Sequence, residues 1–280
     1  MSGDFQETNV QPYAGMEDTS EDARLAAEIA ESAGRLLIEL REQAFRGEYD
    51  PRELGKIGDS SSDLFIRQQL EQLRPDDAIL SEEELKSDLR RHSVDRVWIV
   101  DPLDGTREFG MTGRVDWAVH VALWDRRADS IDGRPGDLVA GAVALPAQGV
   151  TLETSYAKRT QFDDKRRPII LVSQSRPPAW AEYVATAIDG VLVGMGSAGA
   201  KCAEVILGRA DAYLHAGGQY EWDSAAPAIV ARKAGLHVSR IDGTPLTYNH
   251  EDPYSPDLAI CRTDLWPKIF SALLEGGALE

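Results

Sequence analysis

Four acidic residues in this sequence stand at places where enzymes often collect metal ions. Glu82 follows a short apolar run, and Asp101 and Asp104 follow a longer one. Asp223 stands where a helix is predicted to begin. Loops after the carboxyl ends of strands commonly carry functional groups. Because Pro102 prevents a helix at this point, Asp101 and Asp104 can be directed to one place. The pattern predicts a site where several carboxylates meet.

The loop that begins at Asp101 is rich in oxygen ligands. Mg²⁺ prefers carboxylate, carbonyl and water oxygens, and Asp101, Asp104 and the Leu103 carbonyl offer the first two kinds. Gly105 and Thr106 follow directly, so backbone N–H groups and a hydroxyl can approach a phosphate oxygen. The loop therefore predicts metal and phosphate binding side by side.

Each of these residues also has an ordinary structural interpretation. Glu82 belongs to an acidic run, which is typical of a solvated surface. Asp223 could simply cap a helix, and Asp104-Gly105 is a common turn. Taken singly, these interpretations are the more frequent ones. We favour the functional interpretation because the motifs together fit one task.

The segment Asp104-Gly105-Thr106 also invites comparison with a covalent phosphatase. Haloacid-dehalogenase phosphatases need a nucleophilic Asp two residues before the Asp of Asp-Gly-Thr. Pro102 occupies that position here, and Asp101 lies one residue too far back. The spacing disfavours that class of enzyme.

The composition limits the remaining classes of protein. The chain has 280 residues, of which 42% are hydrophobic and 28% charged, so it can bury a core. A formal charge of −17 argues against binding to a nucleic-acid polymer or to an anionic membrane. The two cysteines, Cys202 and Cys261, are far apart and have no metal-binding spacing. No stretch is long and apolar enough for a membrane span, and the polar N-terminus is unlike a signal peptide. We expect a soluble cytoplasmic protein.

Hydrophobic periodicity predicts the elements that must position these residues. Residues 1–19 have no hydrophobic period and predict a disordered tail, and a helix with one apolar face is predicted from about Thr19. The stretch 47–62 contains several glycines and predicts a loop, followed by a second helix that carries Ile66 and Leu70.

The later elements predict an α/β fold in two parts. Strands are predicted at 78–80, 94–100, 117–124 and 138–145, with an exposed charged loop at 125–137. From about Thr151 strands and helices alternate: strands at 169–172, 191–193 and 210–214, and helices near 179–187, 199–207, 224–234 and 264–275. We therefore predict an α+β metal-binding domain over 20–150 and an α/β domain over 151–280 that completes the substrate site.

Three motifs resemble those of the inositol monophosphatase superfamily of Mg²⁺-dependent, lithium-sensitive phosphatases. They are Leu80-Ser81-Glu82-Glu83, Trp98-Ile99-Val100-Asp101-Pro102-Leu103-Asp104-Gly105-Thr106 and Glu221-Trp222-Asp223-Ser224-Ala225-Ala226. The resemblance extends in order over about 20–263. Asp104-Gly105-Thr106-Arg107-Glu108-Phe109 is similar to the version found in 3′(2′),5′-bisphosphate nucleotidases, the CysQ group. The Gly196 to Lys201 segment is similar to their Gly-Ser-x-x-Lys segment, with one more residue before the lysine. The resemblance implies a layered αβαβα sandwich of the sugar-phosphatase type.

The resemblance also implies roles for individual residues. Glu82, Asp101 and the Leu103 carbonyl would hold one Mg²⁺, and Asp101, Asp104 and Asp223 a second. Gly105 and Thr106 would hold the scissile phosphate. The sequence departs from the family at the upstream acid that holds a third ion, since no Val-Thr precedes either Asp59 or Asp63. Asp63 stands at the predicted helix start, so the choice between the two, and the third ion itself, stay open.

The implied substrate is adenosine 3′,5′-bisphosphate, which would lose its 3′-phosphate to give AMP in sulfate assimilation; its 5′-phosphosulfate analogue would give adenosine 5′-phosphosulfate. Metal-activated water would attack, oriented by Glu82, Thr106 and the upstream aspartate. The remaining substrate contacts are predicted at Arg107, Ser197, Lys201, Arg240 and Tyr248. Members of the superfamily are commonly homodimers, so we expect one here.

Two alternatives follow from the same motifs. A broader phosphatase of the superfamily, acting on inositol 1-phosphate or fructose 1,6-bisphosphate, would use the same metals and different pocket contacts. A metal-binding regulatory protein without catalysis would be expected to have a broken ligand set, and the set here is intact. A scaffold role has no support beyond the acidic N-terminus.

Overall fold

The computed structural model of this protein describes residues 16–47, 50, 53–83, 89–130, 133–155 and 160–279. The helices are α1 (Met16–Phe45), α2 (Leu54–Leu73), α3 (Thr106–Phe109), α4 (Ala181–Ala187), α5 (Ala198–Ile206), α6 (Glu221–Lys233) and α7 (Trp266–Glu275). The strands are β1 (Ala78–Ser81), β2 (Arg96–Asp104), β3 (Ala118–Asp129), β4 (Pro135–Leu145), β5 (Val150–Glu153), β6 (Ile169–Ser173), β7 (Val191–Met195), β8 (Ala212–Tyr220), β9 (His237–Ser239) and β10 (Tyr254–Cys261). Short 3₁₀ helices cover Leu89–His92 and Pro146–Gln148.

The strands of the described residues form two mixed sheets of five strands each. The first sheet has the order β1-β2-β3-β4-β5, in which β1 and β2 are parallel and the other neighbours antiparallel. The second has the order β7-β6-β8-β10-β9, in which β6 is parallel to both β7 and β8. Strand β10 runs antiparallel to β8 and β9.

Helices and sheets alternate in five layers. Helices α1 and α2 cover one face of the first sheet, and their shared core includes Leu37, Ile66, Trp98 and Val121. Helices α5 and α6 lie between the two sheets, in a core that includes Cys202, Ala226, Val143 and Leu258. Helices α4 and α7 cover the outer face of the second sheet. The predicted αβαβα sandwich is confirmed.

Helix α2 corrects the prediction of a loop over 47–62. The helix begins at Leu54, and Gly55 and Gly58 lie inside it. A Cβ at Gly58 would lie 2.8 Å from the Phe109 ring, and one at Gly55 would lie 2.7 Å from the Thr106 methyl group. These glycines therefore let α2 pack closely against the segment that follows β2. In the sequence, glycines required for close packing look the same as glycines that mark a loop.

Other element bounds also differ from the prediction. Helix α1 begins at Met16, so residues 16–19 of the predicted tail are helical, and residues 1–15 lie outside the described residues.

Strands β3 and β4 continue into the predicted charged loop at 125–137, with Asp125 opposite Asp137. Strand β10 was not predicted, because Pro256 and a bulge at Ser255/Asp257 interrupt its apolar pattern. Strand β9 was not predicted either, and its three residues are too few for a pattern.

The division predicted at residue 150 falls within the first sheet. Strand β5 begins at Val150 and pairs with β4, so that sheet ends at Glu153. Helices α5 and α6, from the second half of the chain, bury residues against strands of both sheets. Among the described residues, no helix is long and apolar enough to cross a membrane.

Candidate active site

The predicted acidic residues meet where β1, β2 and α6 come together. Strands β1 and β2 are parallel, so their carboxyl ends lie at one edge of the sheet. Glu82 directly follows β1, and its N–H donates to the Val100 carbonyl at 3.4 Å. Carboxylate oxygens of Asp101, Asp104 and Asp223 all lie within 4.8 Å of one another. The convergence predicted from separate motifs is therefore present in the fold.

Crowding of these carboxylates raises several pKa values. Burial, followed by repulsion from Asp223 and Asp59, raises the pKa of Glu82 to about 7. Burial and the charge of Glu82 raise the pKa of Asp101 well above its ordinary range. Burial and repulsion from Asp104 raise the pKa of Asp223 to about 6. The group holds more negative charge than its surroundings neutralise, and a divalent cation would relieve that repulsion.

Asp104 differs from its neighbours because donors surround it. Its Oδ2 accepts hydrogen bonds from Ser197 Oγ at 2.5 Å and from the Gly199 N–H at 2.6 Å. Its Oδ1 accepts a single bond, from the Ala198 N–H at 3.1 Å. Burial alone would raise the pKa of Asp104, but contacts with His120 and the nearby Lys201 charge outweigh burial and hold it below its ordinary value. Asp104 is thus held as a carboxylate at the N-terminus of α5, with Oδ1 the less occupied oxygen.

The end of β2 is tied to α2 by a hydrogen bond, and the turn that follows depends on a glycine. Ser62 Oγ donates to the Pro102 carbonyl at 2.7 Å. Gly105 has φ +89°, a conformation that L side chains rarely adopt, and a Cβ there would lie 3.1 Å from the Asp116 carbonyl oxygen. This conformation lets Thr106 begin α3 beside the carboxylates.

The two upstream aspartates have different neighbours. Thr106 Oγ1 lies 3.1 Å from Asp59 Oδ1 and 3.2 Å from the Leu103 carbonyl oxygen. Asp63 instead accepts a hydrogen bond from Ser81 Oγ at 2.5 Å. Burial, partly offset by the Thr106 hydrogen bond, raises the pKa of Asp59 to about 7. The sequence had indicated that Asp63 starts the helix. This prediction is wrong, because α2 begins nine residues earlier, at Leu54. Asp59 is therefore the upstream acid that contacts Thr106.

A pocket of about 460 Å³ opens beside the carboxylates. Glu82, Asp104 and Asp223 line it, and we call them its carboxylate side. The lining also includes residues that lie in strands of the second sheet or just after one, which we call its second-sheet side: Ser173, Arg176, His215 and Tyr254. Ser197, Lys201, Tyr213, Gln219, Tyr220 and Trp222 also line the pocket, with Ala198, Gly217 and Gly218. The pocket thus combines a strongly acidic side with a side that carries a cation and an aromatic ring.

Comparison with known proteins assigns this arrangement to a family. The model of the inositol monophosphatase family matches residues 18–262. The chain belongs to the inositol monophosphatase family.

Two curated relatives are similar to this chain in sequence, and one solved structure is similar to it in fold. The chain is similar to the 3′-phosphoadenosine 5′-phosphate phosphatase of Mycobacterium leprae (strain TN), with 47% identity over 258 residues, 91% of this chain and 94% of that protein. It is 31% identical over 207 residues to the 3′(2′),5′-bisphosphate nucleotidase CysQ of Escherichia coli (strain K12), covering 70% of this chain and 80% of that one. Inositol monophosphatase-II from Staphylococcus aureus MSSA476 shares the fold, with a TM-score of 0.71, 22% identity and coverage of 91% and 95%.

The acidic residues fit the metal centre expected in this family. All the side-chain donors are carboxylate oxygens, which hard cations prefer over nitrogen or sulfur. The Leu103 carbonyl lies in the same loop and reaches Thr106 Oγ1, so it too faces the site. Burial and, after it, repulsion between the carboxylates raise the pKa values of Glu82 and Asp101, and a bound cation would offset that repulsion. The cluster could therefore hold a divalent metal ion.

Two predicted substrate contacts line the pocket but already have partners. Ser197 has φ +54° and caps α5: its hydroxyl accepts from the Ala200 N–H at 2.9 Å while donating to Asp104. Lys201 Nζ donates to the Ser197 carbonyl at 2.6 Å and lies 4.9 Å from the centre of the Tyr213 ring. Both side chains hold the N-terminus of α5 against the carboxylates.

Three other predicted contacts lie outside the pocket lining. Arg240 forms an ion pair with Asp257, with Nη2 2.6 Å from Oδ2. Tyr248 is buried, and its hydroxyl lies 3.3 Å from Ser224 Oγ. Arg107 is exposed on α3. Its neighbour Glu108 faces Arg114 instead, at 3.8 Å.

Several residues at the site were not predicted, and Arg176 and His120 are two of them. Arg176 follows β6 in no recognisable motif, and only the packing of the second sheet brings it to the pocket. His120 was assigned to a core strand, and it does lie buried in β3, but its Nε2 is 3.3 Å from Asp104 Oδ2. The signal in the sequence that could have pointed to His120 was a histidine in an otherwise apolar predicted strand, 117–124.

Proposed function

We propose that this protein is a metal-dependent phosphatase that removes the 3′-phosphate of adenosine 3′,5′-bisphosphate and releases AMP. It would act in the same way on the 5′-phosphosulfate analogue. The observation that carries the proposal is the 47% identity, over nine-tenths of both chains, to a relative named for that reaction. The intact carboxylate cluster and the charged pocket support it.

The proposed cofactor is Mg²⁺. Glu82, Asp101 and the Leu103 carbonyl would hold one ion, and Asp101, Asp104 and Asp223 would hold another, as the family resemblance implies. Such ions lower the pKa of a bound water and neutralise charge that develops on the leaving oxygen. A third ion near Asp59 belongs to the same proposal.

Thr106 and Asp59 would orient the attacking water. Both neighbours of Thr106 Oγ1, a carboxylate and a carbonyl, are hydrogen-bond acceptors, so the hydroxyl proton must be donated to one of them. The lone pairs of Oγ1 are then left to accept a hydrogen bond from the attacking water. Glu82 would help to orient the same water, as the family resemblance implies. No protein nucleophile is required.

The second-sheet side of the pocket would bind the rest of the nucleotide. Arg176 lines the pocket and, within the described part of the chain, has no carboxylate partner, so it can pair with the 5′-phosphate. Tyr254 is half exposed and contacts the Tyr220 ring edge-on, with ring centres 6.1 Å apart. Aromatic surfaces of this kind bind bases by stacking. A substrate with one phosphate would use the carboxylate side alone.

Phosphate release by the purified protein with Mg²⁺ tests the proposal. Adenosine 3′,5′-bisphosphate, inositol 1-phosphate and fructose 1,6-bisphosphate are compared side by side, each with and without Li⁺. We expect a strong preference for the nucleotide and inhibition by Li⁺. Equal rates on all three substrates would favour the broader sugar-phosphate phosphatase. No release from any of them would contradict the enzyme proposal.

A homodimer and a cytoplasmic location complete the proposal. Both come from the sequence and the family resemblance. The mass of the protein in solution tests the first, and fractionation of cells tests the second.

A further inference from the structure

His120 connects two segments that carry carboxylates of the site. Its Nδ1 lies 3.1 Å from the Trp222 carbonyl oxygen, one residue before Asp223. Its Nε2 lies 3.3 Å from Asp104 Oδ2, a charge contact without the alignment of a good hydrogen bond. The side chain is fully buried. One imidazole therefore spans from the end of β2 to the first turn of α6.

The approach of α5 depends on the same imidazole. A Cβ on Gly199 would lie only 2.1 Å from His120 Nε2. Because residue 199 has no side chain, its N–H can reach Asp104 Oδ2 while His120 occupies the adjoining space. Three elements, β2, α5 and α6, thus meet around this ring.

The orientation of Asp104 follows from these contacts. Ser197, Gly199 and His120 all face Oδ2, whereas Oδ1 accepts one hydrogen bond. The carboxylate is consequently turned so that Oδ1 is the oxygen left for a cation. The Trp222 contact fixes the first turn of α6, which carries Asp223.

We propose that His120 is a positioning residue that holds Asp104 and the Asp223 turn at the separation needed to bind a divalent cation. This inference rests on the metal centre of the proposed function. It assigns His120 no contact with the metal or with substrate. Partners that orient metal ligands typically contribute about 10–100-fold to metal affinity.

A titration of the full-length protein with Mn²⁺, in the absence of substrate, tests the positioning role of His120. Electron paramagnetic resonance measures the bound and free Mn²⁺. His120→Phe keeps the ring and removes both polar contacts. We expect its Mn²⁺ dissociation constant to rise about 10–100-fold. His120→Gln keeps an amide N–H near the position of Nε2, and His120→Asn keeps one near Nδ1. Each should recover part of the lost affinity, because each restores one of the two contacts.

Val121→Ala is the matched control. Val121 lies next to His120 on β3 but faces the core shared with α1 and α2, so the variant should lose stability and keep Mn²⁺ affinity. Unchanged Mn²⁺ affinity in His120→Phe would overturn the proposal, as would an equal loss in Val121→Ala. If His120→Phe does not fold, His120→Asn replaces it in the test. This variant lacks the contact with Asp104, so its Mn²⁺ affinity should still be lower than that of the wild-type protein.

The two proposals fail in different ways. A wild-type protein that binds Mn²⁺ but releases no phosphate would contradict the proposed reaction, and the His120 variants would still decide the positioning role. A wild-type protein that binds no Mn²⁺ would contradict both.

Discussion

The carboxylate side of the pocket and its second-sheet side differ in burial, charge and origin. Asp101 and Asp104 are almost completely buried and held by hydrogen bonds, whereas Arg176 and Tyr254 are exposed. The carboxylates stand in compact motifs, and the second-sheet residues stand in none. The difference indicates that the chemical step needs fixed ligands at short spacing, while recognition of the substrate needs only surfaces that the fold brings near.

Removal of a shared carboxylate should have the largest effect. We expect Asp101→Asn to lower kcat for the bisphosphate at least about 10³-fold, because a ligand assigned to both ions loses its charge. Phosphate release at saturating Mg²⁺ measures this. Asp76→Asn, in an exposed turn, is the control. An Asp101→Asn enzyme with near-native kcat would show that the carboxylate side does not carry the reaction.

The two upstream aspartates offer a matched pair. Asp59 contacts Thr106, and Asp63 contacts Ser81. We expect Asp59→Asn to lower kcat about 10²-fold, since the amide at this position carries no charge and cannot act as a base beside Thr106. Asp63→Asn should change kcat less than about tenfold. The reverse order would assign the water-orienting role to Asp63.

Arg176→Ala should affect binding more than turnover. We expect KM for adenosine 3′,5′-bisphosphate to rise about 10–100-fold, the contribution of a hydrogen bond to a charged group. Turnover should change little, and KM for inositol 1-phosphate should not change. Arg209→Ala, which pairs with Glu204 outside the pocket, is the control. Equal losses on both substrates would contradict a specific role for the second-sheet side.

The metal-free protein should lose stability as pH rises from about 5 to about 7. The pKa of Glu82 is raised to about 7 in the folded protein, so folding takes up protons that the unfolded chain has released. Higher pH removes those protons and lets the carboxylates repel one another. Melting temperatures in a chelator measure the fall, and Mg²⁺ should stabilise most at the higher pH.

Glu82→Gln isolates this contribution. The variant cannot ionise at that position, so its metal-free melting temperature should fall less across the same pH range. A metal-free wild-type protein whose melting temperature increased over the range would contradict the proposed repulsion.

Arg107→Ala should have the smallest effect. Arg107 is exposed and outside the pocket lining, so we expect kcat/KM to change less than about threefold. Steady-state kinetics with the bisphosphate measures it. A loss comparable to that of Arg176→Ala would mean that the substrate extends beyond the second-sheet side.

The family resemblance predicted the layers of the fold more successfully than the sequence patterns predicted the bounds of its elements. Periodicity located the helices of both halves, because burial of one face imposes a period of 3.6 residues. It did not locate the start of α2, where Gly55 and Gly58 serve close packing against α3. Strand β10 was missed because Pro256 interrupts it.

The sequence by itself determined the Asp101 and Asp104 part of the carboxylate cluster. Asp101 and Asp104 lie three residues apart around a proline, and such local spacing already restricts where their oxygens can point. The tertiary structure decided the rest. It showed that Asp59, and not Asp63, contacts Thr106, and it brought Arg176 and His120 to the site. Those residues reach the site from other strands and helices, and contacts between distant segments depend on packing that no local pattern records.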